Sequence, residues 1–122
     1  MEPHLRVSVE SVQRAGAGVW RITWRVDNFG PPLGLESAWV PHGRFRGQGR
    51  LNFAPPRPLP LSLEMLVHAD EGPGTLVENT FLILRLSTRW RVFVRMRVEF
   101  DTDAVPHPIP ELVTLQSAGA AG

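Results

Sequence analysis

Hydrophobic and polar residues alternate along much of this chain, and the longest alternating stretch covers residues 90–100, WRVFVRMRVEF. Every second residue from Trp90 to Phe100 is apolar, whereas the positions between them carry three arginines, one phenylalanine and one glutamate. Because successive side chains of a β-strand point to opposite faces, this pattern predicts a strand with one apolar face and one mostly charged face. We expect it to be the central strand of a half-buried sheet.

Shorter alternating stretches predict further strands, separated by turn-forming glycines and prolines. These predicted strands cover residues 5–12, 19–28, 35–40, 45–53, 61–67 and 109–115. Residues 45–53 are interpreted as one strand whose inner face is thinned by Gly47 and Gly49. The proline-rich residues 54–60 are expected to be extended, either crossing between sheets or running along an edge.

Residues 76–86, LVENTFLILRL, fit two descriptions. A short helix over residues 76–80 is one of them, but the β-branched and aromatic residues favour a buried strand from about Asn79. The residues from Phe81 to Leu84 are apolar on both faces of such a strand. Both faces would then have to be covered.

The whole pattern predicts about seven to nine short strands and no amphipathic helix. We therefore predict an all-β fold, namely an antiparallel β-sandwich, because two half-apolar sheets bury their apolar faces on each other. A small barrel is the alternative. Residues 1–116 are expected to form a single domain and residues 117–122, SAGAAG, a flexible C-terminal tail.

Composition narrows the chemistry that the chain can perform. It has no cysteine, which excludes disulfides, thiolate nucleophiles and cysteine-based zinc sites. All 13 basic residues are arginine, so lysine-dependent Schiff-base chemistry is excluded as well. Arginine-only usage indicates, through codon bias, a GC-rich bacterial genome. The missing cysteine and the 12 prolines are compatible with the heat tolerance of a thermophile. We see no signal-peptide pattern and no apolar run long enough to span a membrane, so we expect a cytoplasmic protein without a membrane partner.

The second predicted strand carries a resemblance to a known family. Residues 19–30, VWRITWRVDNFG, resemble the second strand of bacterial immunoglobulin-like modules such as the cell-adhesion-related domain found in bacteria, with Val26, Asn28 and Gly30 matching its Val-x-Asn-x-Gly ending. The resemblance implies an immunoglobulin-like sandwich of about seven strands with a binding or spacer role. Such modules are usually exported, whereas this chain shows no export signal, so their location does not carry over.

Two rows of arginines on predicted strands form the candidate binding site. The site residues are Arg44, Arg46 and Arg50 in the first row, and Arg91, Phe93, Arg95 and Arg97 in the second. If both rows lie in one sheet, six guanidinium groups cover one surface, and such groups suit phosphate and carboxylate ligands. With Phe93 among them, this surface could hold a nucleic-acid backbone and stack a base. The alternative is cross-strand ion pairing with acids such as Glu36, Glu64, Glu78 and Glu99.

Apolar residues on polar strand faces point to a partner surface. Phe93 and Leu66 both fall on the polar side of their predicted strands. Acidic and basic segments are also separated along the chain, so that two identical copies could complement each other. The alternative is that residues 54–60 or 101–110 cover these apolar side chains.

The tryptophans are all predicted to face inward, into the core. They are Trp20, Trp24, Trp39 and Trp90.

No catalytic motif stands out. His68 and Asp70 share one strand face, with Glu71 and Glu78 nearby in sequence, but we favour exposed loop histidines over a metal site. No nucleophile-elbow or P-loop pattern occurs. The sequence therefore predicts a non-enzymatic protein–protein interaction or assembly module that self-associates, with no cofactor and no metal. Anion or nucleic-acid binding through the arginine rows is the alternative.

Overall fold

The computed structural model describes residues 2–117, which contain ten strands and no helix. The strands are β1 (Leu5–Gly16), β2 (Val19–Asn28), β3 (Gly34–Trp39), β4 (Pro41–His42), β5 (Phe45–Gly47), β6 (Leu51–Pro58), β7 (Leu61–His68), β8 (Leu76–Leu86), β9 (Trp90–Phe100) and β10 (Pro106–Ser117). Ser117 ends β10, and residues 118–122 of the predicted tail lie outside the described residues.

The strands form two antiparallel sheets of five strands each. Sheet A has the order β1-β2-β7-β5-β4, and sheet B has the order β10-β9-β8-β3-β6. The predicted all-β sandwich is confirmed. The expectation that residues 90–100 form the central strand is wrong in detail, because β9 lies one place from the edge of sheet B and β8 takes the middle position.

The core lies between the inward faces of the two sheets. The inward positions of β9, from Val92 to Phe100, are buried as their alternation predicts. Trp24 and Phe45 are among the largest fully buried side chains. The indole Nε1 of Trp20 donates a buried hydrogen bond to the carbonyl oxygen of Ala69, at 2.9 Å.

The predicted strand over residues 45–53 is wrong, because the chain crosses between the sheets inside it. β5 belongs to sheet A, whereas β6 belongs to sheet B. A Cβ added at Gly47 would come within 2.5 Å of the Met65 sulfur, so this position takes no side chain. Gly49 has a φ of 76°, a left-handed conformation that glycine adopts without strain. The two glycines therefore mark a close approach and a turn rather than one continuous strand.

β8 resolves the ambiguity over residues 76–86 in favour of a strand. The ladder with β9 is irregular between Val77 and Thr80, and Asn79 in this irregularity has a φ of 57°. Beyond it, Leu82 and Leu84 are fully buried on the inward face. Phe81 and Ile83, which alternate with these leucines, face outward and are half-buried.

Prolines lie along both edge strands of sheet B. The proline-rich segment predicted to be extended forms most of β6, which is one edge. β10, the other edge, carries Pro106, Pro108 and Pro110 at alternate positions. Proline has no amide hydrogen to offer an incoming strand, so these edges are poor templates for strand addition. Any partner of sheet B is better accommodated on its outer face.

Candidate functional site

An unusual row of apolar side chains crosses the outer face of sheet B. Trp39 of β3 lies opposite Ile83 of β8, which lies opposite Phe93 of β9. All three are half-buried, and none of them is among the partly buried hydrophobic residues that pack against the core. We call these three residues the apolar row. Phe81, also half-buried, lies two residues before Ile83 in β8 and opposite Arg95.

Strand alternation explains the position of the apolar row. The buried residues Val92 and Val94 flank Phe93, so its side chain must point away from the core. The predicted inward face of Trp39 is wrong, because β3 has a register irregularity between Leu35 and Ser37. The irregularity shifts the alternation by one residue, so the neighbours of Trp39 face the core and the indole faces outward.

Three arginines border the apolar row, and together with the row they form a cavity of about 190 Å³. The guanidinium of Arg50 lies over the Trp39 ring, with 4.8 Å between Cζ and the ring centroid. Arg85 and Arg91 lie directly opposite each other on β8 and β9. The cavity is lined by Ser37, Trp39, Arg50, Ile83, Arg85, Arg91 and Phe93. We call Arg50, Arg85 and Arg91 the arginine cluster.

The arginine cluster is only partly neutralised by the protein. Arg85 Nε lies 3.4 Å from Glu36 Oε1. Among residues 2–117, no carboxylate lies within 4.0 Å of the guanidinium nitrogens of Arg50 or Arg91. Two positive charges next to an aromatic floor are therefore available to a ligand.

The other predicted arginines of β9 share this face but already have partners. Arg95 Nε lies 3.9 Å from a Glu111 carboxylate oxygen. Arg97 lies 3.2 Å from carboxylate oxygens of both Glu99 and Glu111. Hydrogen bonds from Arg97 to Glu99 and Glu111 raise the pKa of its guanidinium above the ordinary value. Their charges are thus balanced within the molecule.

The condition for both arginine rows to cover one surface, namely that they lie in one sheet, is not met. Arg46 of β5 lies on the outer face of sheet A, opposite His68. Arg44 lies beside sheet A and pairs with Glu71. The hydrogen bond between them raises the pKa of Arg44 and lowers that of Glu71. Only Arg50 of the first row reaches sheet B, because the chain changes sheets between β5 and β6.

The structure adds Trp39, Ile83 and Arg85 to the predicted site. Ile83 and Arg85 alternate with buried leucines in β8, so the strand pattern of residues 76–86 contained the signal for both. The signal for Trp39 was misleading, because a register irregularity leaves no mark that alternation can reveal. Of the acids named in the ion-pair alternative, Glu99 contacts a candidate arginine, Arg97, within the same strand. Glu36 and Glu64 contact Arg85 and Arg21, which lie outside the predicted rows.

The surroundings of the histidine side chains give little indication of a metal site. His68 Nε2 lies 3.1 Å from Gln48 Nε2. Within residues 2–117, no group of three or more histidine, aspartate or glutamate side chains is placed to hold a metal ion. No helix in the same part of the chain is long and apolar enough to cross a membrane.

No protein-family model matches the chain, and no curated protein or solved structure matches it significantly.

Proposed function

We propose that this protein is a non-enzymatic, immunoglobulin-like interaction module that self-associates through the outer face of sheet B. The observation that carries the proposal is the apolar row, in which Trp39, Ile83 and Phe93 are half-buried on the outer face of sheet B and are not among the described residues that pack against the core. Removing such side chains from water stabilises a complex, and aromatic residues and arginine are enriched in the buried centres of interfaces.

The strand order supports the immunoglobulin-like assignment. In immunoglobulin domains one sheet has the order A-B-E-D, and the other contains G-F-C, with C′ beside C in variable-type domains. Here β1-β2-β7-β5 follows the first order, and β9-β8-β3 follows G-F-C. β6 lies beside β3 in the C′ place but comes after β5 along the chain, whereas C′ precedes D in immunoglobulin domains. β10 adds one further strand beside the strand in the G position. This arrangement also fits the resemblance of residues 19–30 to bacterial immunoglobulin-like modules.

Self-association is the simplest use of the apolar row. Every copy presents the same row, so two copies related by a two-fold axis can cover each other's apolar side chains in one contact. Such a contact requires no second gene product.

Sedimentation velocity tests this proposal with two variants. Phe93→Ser removes the ring from the apolar row, and Leu66→Ser removes a half-buried apolar side chain from the outer face of sheet A. We expect the wild type and Leu66→Ser to dimerise and Phe93→Ser to remain monomeric. Circular dichroism must show that both variants are folded. Equal dimerisation of all three proteins would exclude this face as the contact.

A second candidate is anion or nucleic-acid binding, favoured by the lack of carboxylate partners at Arg50 and Arg91. Fluorescence anisotropy with a single-stranded DNA oligonucleotide at low salt measures it directly. If this function is correct, binding weakens steeply with salt, and Arg91→Gln reduces it. No binding at low salt would rule it out.

A further inference from the structure

We infer that the self-association of the proposed function places two copies face to face with their strands antiparallel. In this arrangement Leu76 and Glu78 of each copy enter the cavity beneath the arginine cluster of the other. This inference rests on the proposed function and adds the orientation of the copies and the residues that meet.

Among residues 2–117, one carboxylate, that of Glu36, contacts the three guanidinium groups of the arginine cluster. Like charges directly opposite each other on neighbouring strands repel, as Arg85 and Arg91 do here. Glu36 contacts only Arg85 of the cluster. A carboxylate entering the cavity would relieve this repulsion and form charge-assisted hydrogen bonds with the guanidinium groups.

The same face carries a complementary group at its other end. Leu76, at the start of β8, is 48% exposed and lies opposite Glu99. Glu78 is exposed in the irregularity that follows, and no arginine or histidine among residues 2–117 pairs with its carboxylate. An apolar side chain next to an unpaired carboxylate matches a cavity that has an apolar floor and an arginine rim.

The spacing of these features along the sheet makes the face self-complementary. Phe81 and Arg95 lie opposite each other midway between the two ends of the face, in line with Leu112 of β10. Leu112 is itself 50% exposed. A two-fold axis lying in the interface along this middle line would stack Phe81 on its own copy. It would also place the arginine cluster of one protomer over the Leu76 end of the other.

A nucleic-acid backbone fits this face less well. A bound strand needs a continuous line of free positive charges along its phosphates. Beyond the cavity, Arg95 and Arg97 are already paired with Glu111 and Glu99. Of the β9 arginines on this face, only Arg91 at the cavity has no carboxylate partner among residues 2–117, and this suits a single carboxylate.

A charge-swap experiment tests the antiparallel contact. Arg91→Glu and Glu78→Arg each place like charges in both copies of the contact, so each variant alone should dimerise at least tenfold more weakly than the wild type. In an equimolar mixture one contact is reversed and the other is native, so heterodimers should form with nearly wild-type affinity. Arg46→Glu, on the outer face of sheet A, is the matched control and should dimerise normally.

The outcomes separate the inference from the proposed function. A monomeric wild type would overturn both. If the wild type dimerises and both charge variants dimerise equally well, only the antiparallel contact is overturned. Two weakened variants that do not recover on mixing would also overturn it. Nucleic acid that co-purifies with the wild type and is lost in Arg91→Glu would assign the cavity to phosphate instead.

Discussion

The outer faces of the two sheets arise from the same alternation of residues, yet they present different surfaces. On sheet A, Arg21 contacts Glu64 at 2.8 Å and Arg25 contacts Asp27 at 3.0 Å, so the charges of these two arginines are balanced by neighbours. Leu66 and Val19 are the half-buried apolar residues that strands β7 and β2 place on that face. Sheet B instead carries the apolar row and an arginine cluster with a single glutamate contact.

The comparison shows how a solvated face differs from a candidate interface. A solvated face satisfies its charges internally and contributes little to stability through them, because exposed ion pairs are worth at most about 1 kcal/mol. A face that retains apolar side chains and unbalanced like charges carries a cost in the isolated molecule. A partner can remove that cost, so the imbalance itself points to binding.

Trp39→Ala gives the largest expected difference between the faces. Central aromatic residues of interfaces commonly contribute about 2 kcal/mol or more, so self-association should weaken roughly thirtyfold. Leu66→Ala on sheet A should leave the association constant unchanged. Sedimentation velocity over a concentration series measures both variants. If Leu66→Ala is the more damaging substitution, the interface lies on sheet A.

Arg91→Gln and Arg21→Gln should change monomer stability in opposite directions. Removing Arg91 relieves its repulsion with Arg85 and should raise the free energy of unfolding by a few tenths of a kcal/mol. Removing Arg21 breaks its pair with Glu64 and should lower the free energy of unfolding by a similar amount. Urea unfolding of dilute protein, below the dimer dissociation constant, provides the comparison. A loss of stability in Arg91→Gln would show that its charge is already balanced within the monomer.

The pair beside sheet A should respond to pH in a defined direction. The hydrogen bond from Arg44 lowers the pKa of Glu71 in the folded state. A carboxyl group with a lowered folded pKa stabilises the fold above its unfolded pKa, and that contribution is lost as the pH falls through the folded pKa. Carboxyl NMR titration should find the pKa of Glu71 below the ordinary range, and Arg44→Gln should raise it. An unchanged pKa in Arg44→Gln would mean that Arg44 is free to bind ligands.

The sandwich was predictable because inward-facing hydrophobic residues recur at every second position within residues 19–28 and 90–100. Their inward side chains are buried as the pattern requires. The outward position of Phe93 followed from the same pattern. Alternation reports which face a side chain takes within a regular strand, and it is a local property that survives in the sequence.

The composition of the site was less predictable, since it depends on features that alternation does not record. Residues 45–53 keep an apparent period of two across the change of sheet at Gly47 and Gly49, so Arg46 and Arg50 were assigned to one face although they lie on different sheets. The irregularity in β3 turned Trp39 outward. Sheet membership and register are set by contacts between distant segments, which a single sequence does not reveal.

Sedimentation velocity of the wild-type protein from micromolar to millimolar concentration tests the central claim most directly. We predict a concentration-dependent species of twice the chain mass with no absorbance from nucleic acid. A single species of the chain mass across the whole range would contradict self-association through sheet B.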